Sequence, residues 1–180
     1  MINNVTAMFH IFMWRGLKAY DDGTYKRASI DLEQALKMAP TNDPRLVINV
    51  GLKLVECHMS CKAYEQAEVV IKKLIINDST SPMLHSRLAA IQNKQGKYIE
   101  AEQSAMYSLK VSDHLSSTAH LGAAHLSLAE SLINQGHQAE GIEMMNQAIR
   151  LDVDTLDLIV DLLEDSMKTA CKTSSRNKPK

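Results

Sequence analysis

Cysteine and histidine are the side chains through which this chain could do chemistry. Cys57 and Cys61 stand four residues apart with His58 between them. On a helix that spacing sets both thiols on one face. A metal would need two more ligands, and structural zinc sites do not use this spacing. We therefore read the pair as small buried residues and expect no metal. His114, His120 and His125 form a second group, where a histidine could serve as base or ligand. No carboxylate–histidine–nucleophile spacing accompanies them. The sequence also holds no phosphate-cradling glycine loop, nucleophile elbow or zincin motif. The expectation is a protein that is not an enzyme and takes no cofactor.

The bulk chemistry narrows the partners. The formal net charge is -1, so the basic excess of a general nucleic-acid binder is missing. Aromatic residues are 4 %, with Trp14 the one tryptophan, which leaves few rings to stack on bases. Three cysteines make a poor disulfide framework and point to a reducing cytoplasm. The apolar stretch Val5 to Trp14 contains His10 and is too short to cross a bilayer. It also lacks the basic start and cleavage site of a signal peptide. We expect neither a nucleic acid nor a membrane as partner, and we treat the glycosylation-type triplets at Asn4 and Asn77 as chance.

Such side chains must be positioned by something, and the chain repeats itself. Segments beginning at Gly23, Lys62, Gly96 and Gly136 look alike. Each has a turn residue, usually a tyrosine, and a small residue three positions later. Those small residues are Ala28, Ala67, Ala101 and Gly141, at spacings of 39, 34 and 40. Apolar residues then recur at helical spacing: Leu32, Ala35 and Leu36; Val70, Ile71, Leu74 and Ile75; Ala105 and Leu109; Ile142, Met145, Ala148 and Ile149. Helical segments precede each unit, near 5–21, 45–60, 82–95 and 115–135. Asp43-Pro44 and Ser81-Pro82 read as helix starts, and Thr24 as a cap. Gly23, Gly96 and Gly136 read as helix ends in the left-handed conformation. The charged runs Glu65–Glu68 and Lys72–Lys73 read as solvated faces.

This pattern resembles the tetratricopeptide repeat family. The first repeat matches best, through Gly16, Tyr25, Ala28, Leu32, Ala35 and Pro40. The family's closing proline is replaced by Ser79, Asp113 and Val153 in the later repeats. Its small first-helix residue stands as Gly16, Ala89 and Ala129, but as Val55 in the second repeat. Two spacings exceed the family's usual ~34 residues, so longer loops or an extra helical turn must absorb the difference. The resemblance implies an all-α fold. It would be a right-handed superhelix of about four antiparallel helix pairs over 5–151, divided near 8–43, 44–80, 81–114 and 115–151. Leu156, Ile159, Val160, Leu162, Leu163 and Met167 recur at helical spacing. Residues 152–171 are therefore expected to form a capping helix, with an oligomer seam as the sharper reading. Residues 172–180, with Lys172, Arg176, Lys178 and Lys180, are expected to be a disordered basic tail.

The resemblance also implies where a partner would sit. The first helix of each pair lines the concave side. The family's groove positions fall on Met13, Leu17 and Tyr20, then on Asn49, Leu52, Glu56 and Met59. In the third repeat they fall on Met83, Ser86, Asn93 and Lys94, and in the fourth on Leu126, Glu130, Ile133 and Asn134. Arg87 joins them, as the one good match to the clamp with which a well-known subfamily holds chaperone C-termini. Met13, Leu17, Lys53 and Met83 stand at the other clamp positions, which argues against that specificity. The expected function is a protein-interaction module, an adaptor, chaperone or scaffold. It would hold a partner's peptide or helix in the groove through apolar anchors, with methionines adapting to the surface. The same apolar positions would equally serve as core. A regulatory peptide sensor and a structural subunit acting through its convex face and C-terminal helix stand as alternatives.

Overall fold

The computed structural model describes residues 4–39, 43–114 and 120–151. Among them all regular structure is helical. The helices are α1 (Asn4–Asp21), α2 (Tyr25–Lys37), α3 (Pro44–Ser60), α4 (Tyr64–Asn77), α5 (Pro82–Lys94), α6 (Tyr98–His114), α7 (Leu121–Asn134) and α8 (Gln138–Leu151). Pro40, most of the loop before α7, the expected capping helix and the basic tail lie outside the described residues. No helix of the described residues is long and apolar enough to cross a membrane.

One turn, made four times, builds the pairs. Thr24, Ala63, Lys97 and His137 each donate their backbone N–H to the carbonyl five residues earlier, at 2.8–2.9 Å. This is the 6→1 bond of a Schellman motif, which requires a left-handed residue just before it. Gly23, Gly96 and Gly136 supply it, with φ of +71°, +76° and +94°. In the second repeat Lys62 takes that conformation at φ +57°, although a side chain disfavours it. Lys62→Gly is therefore expected to stabilise the chain by about 1 kcal/mol, read as a Tm rise of about 2–4 °C. An unchanged or lower Tm would mean that the lysine is held by something stronger than backbone preference.

The spacing irregularity has a simple cause. Between Ala67 and Ala101 the chain passes through α4 and α5, of 14 and 13 residues. The two longer intervals contain α3 and α6, each of 17 residues. One added helical turn accounts for most of each excess.

Several local expectations need correction. Thr24 does not cap α2. Its Oγ1 donates instead to the Ala19 carbonyl at 2.9 Å, because the tight turn presses it against the end of α1. Ser81 makes no side-chain cap bond, whereas Asp43 accepts from the Leu46 N–H at 3.0 Å. The helix expected from residue 115 begins at Leu121, since His120 is left-handed with φ +67°. Ile142 is 54 % exposed. Gly141 is the residue that turns inward, and a Cβ there would lie 2.5 Å from Ile133 Cγ1.

Consecutive helices pack antiparallel, and apolar side chains fill the seams. Phe9, Leu32, Val50 and Leu54 anchor the first cluster. Val55, Ile71, Leu74, Leu84 and Ile91 anchor the second. Beyond α5 the filling changes: Ala89, Ala105, Leu128 and Leu132 form one small cluster, and Ala129 with Met145 another. Of the buried serines, Ser29 lies on α2, whereas Ser86, Ser108, Ser112, Ser127 and Ser131 lie on α5, α6 and α7. Ser108 donates to the Pro82 carbonyl at 2.7 Å, and Ser131 to that of Leu128 at 2.8 Å.

Candidate protein-binding surface

The odd-numbered helices are drawn together. α1 touches α3, and α5 touches α7, whereas no two even-numbered helices make comparable contact. A stack that is tighter on one side curves toward it, so α1, α3, α5 and α7 line the inner face.

The sixteen residues expected to line a groove divide into three groups. Met13, Leu17, Leu52, Met59, Met83, Leu126 and Ile133 are half-buried and pack against the core clusters. They form the floor of the inner face and offer only part of their surface. Ser86 and Asn93 are buried. Ser86 Oγ donates to the Met83 carbonyl at 3.0 Å, and Asn93 Nδ2 to the Ser127 carbonyl at 2.7 Å, which ties α5 to α7. Both face the packing and not the solvent. Tyr20, Asn49, Glu56, Arg87, Lys94, Glu130 and Asn134 retain polar atoms at the surface.

Most of that third group is bonded within itself across the repeats. Glu56 on α3 is the hub. It accepts from Tyr20 Oη on α1 at 2.7 Å and from Lys53 Nζ at 3.0 Å, and pairs with Arg87 of α5 at 3.2 Å. Lys53 Nζ also lies 4.3 Å from the Tyr20 ring centroid. Burial alone would raise the Glu56 pKa. The hydrogen bonds from Tyr20 and Lys53 and the charge of Arg87 outweigh it and hold the carboxyl below its ordinary range. Bonding to Glu56 pushes Tyr20 and Lys53 up. Farther along, Lys94 of α5 meets Glu130 of α7 at 3.0 Å. Around Glu56 two cations face one carboxylate, so this part of the inner face carries a net positive charge.

A similar link on the other side corrects the reading of Glu68 as solvated. It is 8 % exposed and pairs with Lys72 at 2.6 Å and with Lys97 of the next repeat at 2.7 Å. Burial raises its pKa, but the bonds from Lys72 and Lys97 prevail and lower it to about 2. The sequence marks such a role weakly, because Glu68 and Lys97 are 29 residues apart.

The outer face differs in kind. Every exposed large apolar residue among the described ones lies on α1 or on an even helix. They include Ile30, Val69, Ile76, Ile99 and Ile142. A cleft of about 720 Å³ opens between α2 and α4, floored by Val47, Leu54 and His58 of α3. His58 Nε2 lies 3.4 Å from Glu33 Oε1.

The thiols and histidines do not converge. Cys57 is buried, and burial pushes its pKa up to about 11, so it is an inert thiol. Cys61 is exposed, against expectation, because α3 ends at Ser60 and Cys61 belongs to the turn. His114 and His120 are exposed, while His125 is half-buried with Nδ1 unpartnered. Among the described residues no three metal-ligating side chains come together.

Burial lowers the pKa of His58, against the opposing charge of Glu33, and that of His125. A histidine depressed below its ordinary 6.5 binds its proton less tightly folded than unfolded. Its stabilising contribution is full above that value and fades as pH falls through it. Glu68 behaves likewise between its ordinary 4.5 and about 2. Stability should therefore decline in two steps on acidification, the first below about pH 6.5. Urea unfolding at stepped pH would show it, and His125→Gln should shrink the first step. A flat midpoint from neutral pH down to the carboxylate range would contradict the assignment.

No family model matches the chain, and no curated protein matches it. Solved structures do. MamA 41-end from Desulfovibrio magneticus RS-1 superposes with a TM-score of 0.66 at 11 % identity, over 82 % of this chain and 77 % of that one. The MamA of AMB-1 gives 0.62 at 21 %, over 83 % and 80 %. That of MSR-1 gives 0.62 at 21 %, over 84 % and 78 %. Identities this low speak to the fold alone. On that ground the chain is an all-helical, tetratricopeptide-like solenoid.

Proposed function

We propose that this protein is an interaction module that holds a segment of a protein partner on its inner face. The observation that carries the reading is the Glu56 cluster. Three successive odd helices contribute to it, its members are fixed by mutual bonds, and they remain partly open to solvent. Groups locked in this way lose little freedom on binding. The net positive charge suits a partner segment with a carboxylate opposite Lys53 and Arg87. Its apolar side chains would cover the half-buried floor of Leu52, Met59 and Met83. Asn49 and Asn134, exposed on the same helices, add hydrogen-bonding edges. The free thiols Cys57 and Cys61 fit the reducing, cytoplasmic setting we assign.

A photo-crosslinking residue placed singly at Asn49, Arg87 or Asn134, and in parallel at Val69, Ile99 or Ile142, tests the reading in native lysate. Adducts to one protein from the inner positions alone are expected, and Leu52→Glu with Leu126→Glu should abolish them. A structural subunit that works through its convex face is the second reading. The exposed apolar residues of the even helices favour it, and adducts from the outer positions alone would establish it in place of the first.

A further inference from the structure

The cleft between α2 and α4 has sorted charges. Its volume, about 720 Å³, is that of a small-ligand site. Leu36 of α2, Val47 and Leu54 of α3, and Val69, Val70 and Leu74 of α4 make it apolar along its length. Its rim carries Glu33 and Lys37 on α2, and Glu65, Gln66, Lys73 and Asn77 on α4.

Glu33 and Glu65 stand at one end. His58 marks that end: its Nε2 lies 3.4 Å from Glu33 Oε1, and its carbonyl accepts from the Ala63 N–H at 2.8 Å, at the foot of α4. α2 and α4 both pack antiparallel to α3 and so run the same way. Lys37 therefore lies one turn farther along the cleft, about 6 Å beyond Glu33, and Lys73 two turns, about 12 Å beyond Glu65. Among the described residues Glu65, Lys37 and Lys73 take part in no ion pair. Glu33 faces the imidazole of His58, which burial keeps neutral near pH 7, so its negative charge is not cancelled.

A ligand that matches this cleft is apolar in its body, cationic at one end and anionic at the other, with the charges about 6–12 Å apart. An extended tripeptide with free termini has that form, since a chain spans at most about 3.5 Å per residue. Gln66 and Asn77 add side-chain amides for peptide N–H and C=O groups, which an acyl chain lacks. We propose that the cleft binds an apolar peptide of about three residues, its terminal ammonium between Glu33 and Glu65 and its terminal carboxylate between Lys37 and Lys73. Burial of its side chains against Leu36, Leu54 and Val70 supplies affinity, and the charged ends fix its direction.

Calorimetric titration of the full chain with the tripeptide Leu-Val-Leu tests this. A Kd on the order of 10–100 μM is expected. N-acetylation and C-amidation should each weaken binding about fivefold or more, because each terminus meets two partly solvated charges. Lys37→Ala with Lys73→Ala should abolish the preference for the free carboxylate and keep that for the free amine. Glu33→Gln with Glu65→Gln should do the reverse. Each double variant retains one preference, so a lost contact is told from a lost fold. A wild type that does not bind the peptide would overturn the proposal. So would equal binding of the doubly blocked peptide, which would assign the cleft to an internal segment of a longer chain. Tighter binding of decanoate would assign it to an acyl chain instead. A carboxylate preference that survives loss of both lysines, or an amine preference that survives loss of both glutamates, would place the peptide elsewhere and defeat the proposal.

Discussion

Leu32→Ala is expected to lower stability by about 3–5 kcal/mol, near the top of the range for a buried leucine. The reason is the glycine opposite. Leu32 is fully buried on α2, and a Cβ built on Gly16 of α1 would lie 2.8 Å from its Cγ and Cδ2. The leucine occupies space that Gly16 leaves free, so truncating it empties both sides of the seam. Gly16→Ala then becomes the informative partner. Alone it should destabilise the chain by about 1–3 kcal/mol through overpacking. In the Leu32→Ala background most of that cost should disappear, since the crowding Cγ and Cδ2 are gone and only the backbone nitrogen of residue 32, 3.1 Å away, still presses on the methyl, while alanine is the better helix former by about 1 kcal/mol. Urea unfolding of the four-member cycle measures the coupling. A Gly16→Ala effect of the same size in both backgrounds would show that the two residues do not share the space.

Glu56→Lys should weaken partner binding about 30-fold or more, which is about 2 kcal/mol or more. The substitution removes the acceptor shared by Tyr20, Lys53 and Arg87 and adds a third cation to two that are already close. The side chains would splay, and the fixed arrangement that a partner meets would be lost. Stability should fall less, by about 1–2 kcal/mol, because the cluster is partly solvated and screened. Inner-face adduct yield reads the binding effect, and the urea midpoint at low and high salt reads the stability effect. Binding that survives in a folded Glu56→Lys protein would remove the cluster from the interface.

The fold was legible wherever a local rule acts alone. The turn glycines, the small residue after each tyrosine and the helical stripes are short-range signals, and Gly23, Ala28 and Leu32 stand where such signals set them. Failures came where a neighbouring repeat decides. Glu68 looks like a surface residue until Lys97 arrives from the next pair. Asn93 looks like a groove residue until the Ser127 carbonyl claims it. Cys61 and Cys57 share a helical spacing, but one residue beyond the end of α3 suffices to expose one and bury the other. The inner face was less legible than the fold. The periodicity that marks its first helices does not tell a residue that leans into the core from one that faces a partner.

The shift from leucine, isoleucine and phenylalanine seams in α1–α5 to alanine and serine seams in α5–α7 has a consequence for synthesis. The bulkiest buried side chains lie where the chain emerges first. In a linear array each pair leans mainly on its neighbour, and domains assemble from the leading end as they leave the ribosome. The pairs whose seams are filled by the smallest side chains are therefore made last and settle onto a platform that already stands. In the finished protein the same gradient should run backwards: amide exchange should be fastest in α7 and α8 and slowest around Leu32 and Leu54.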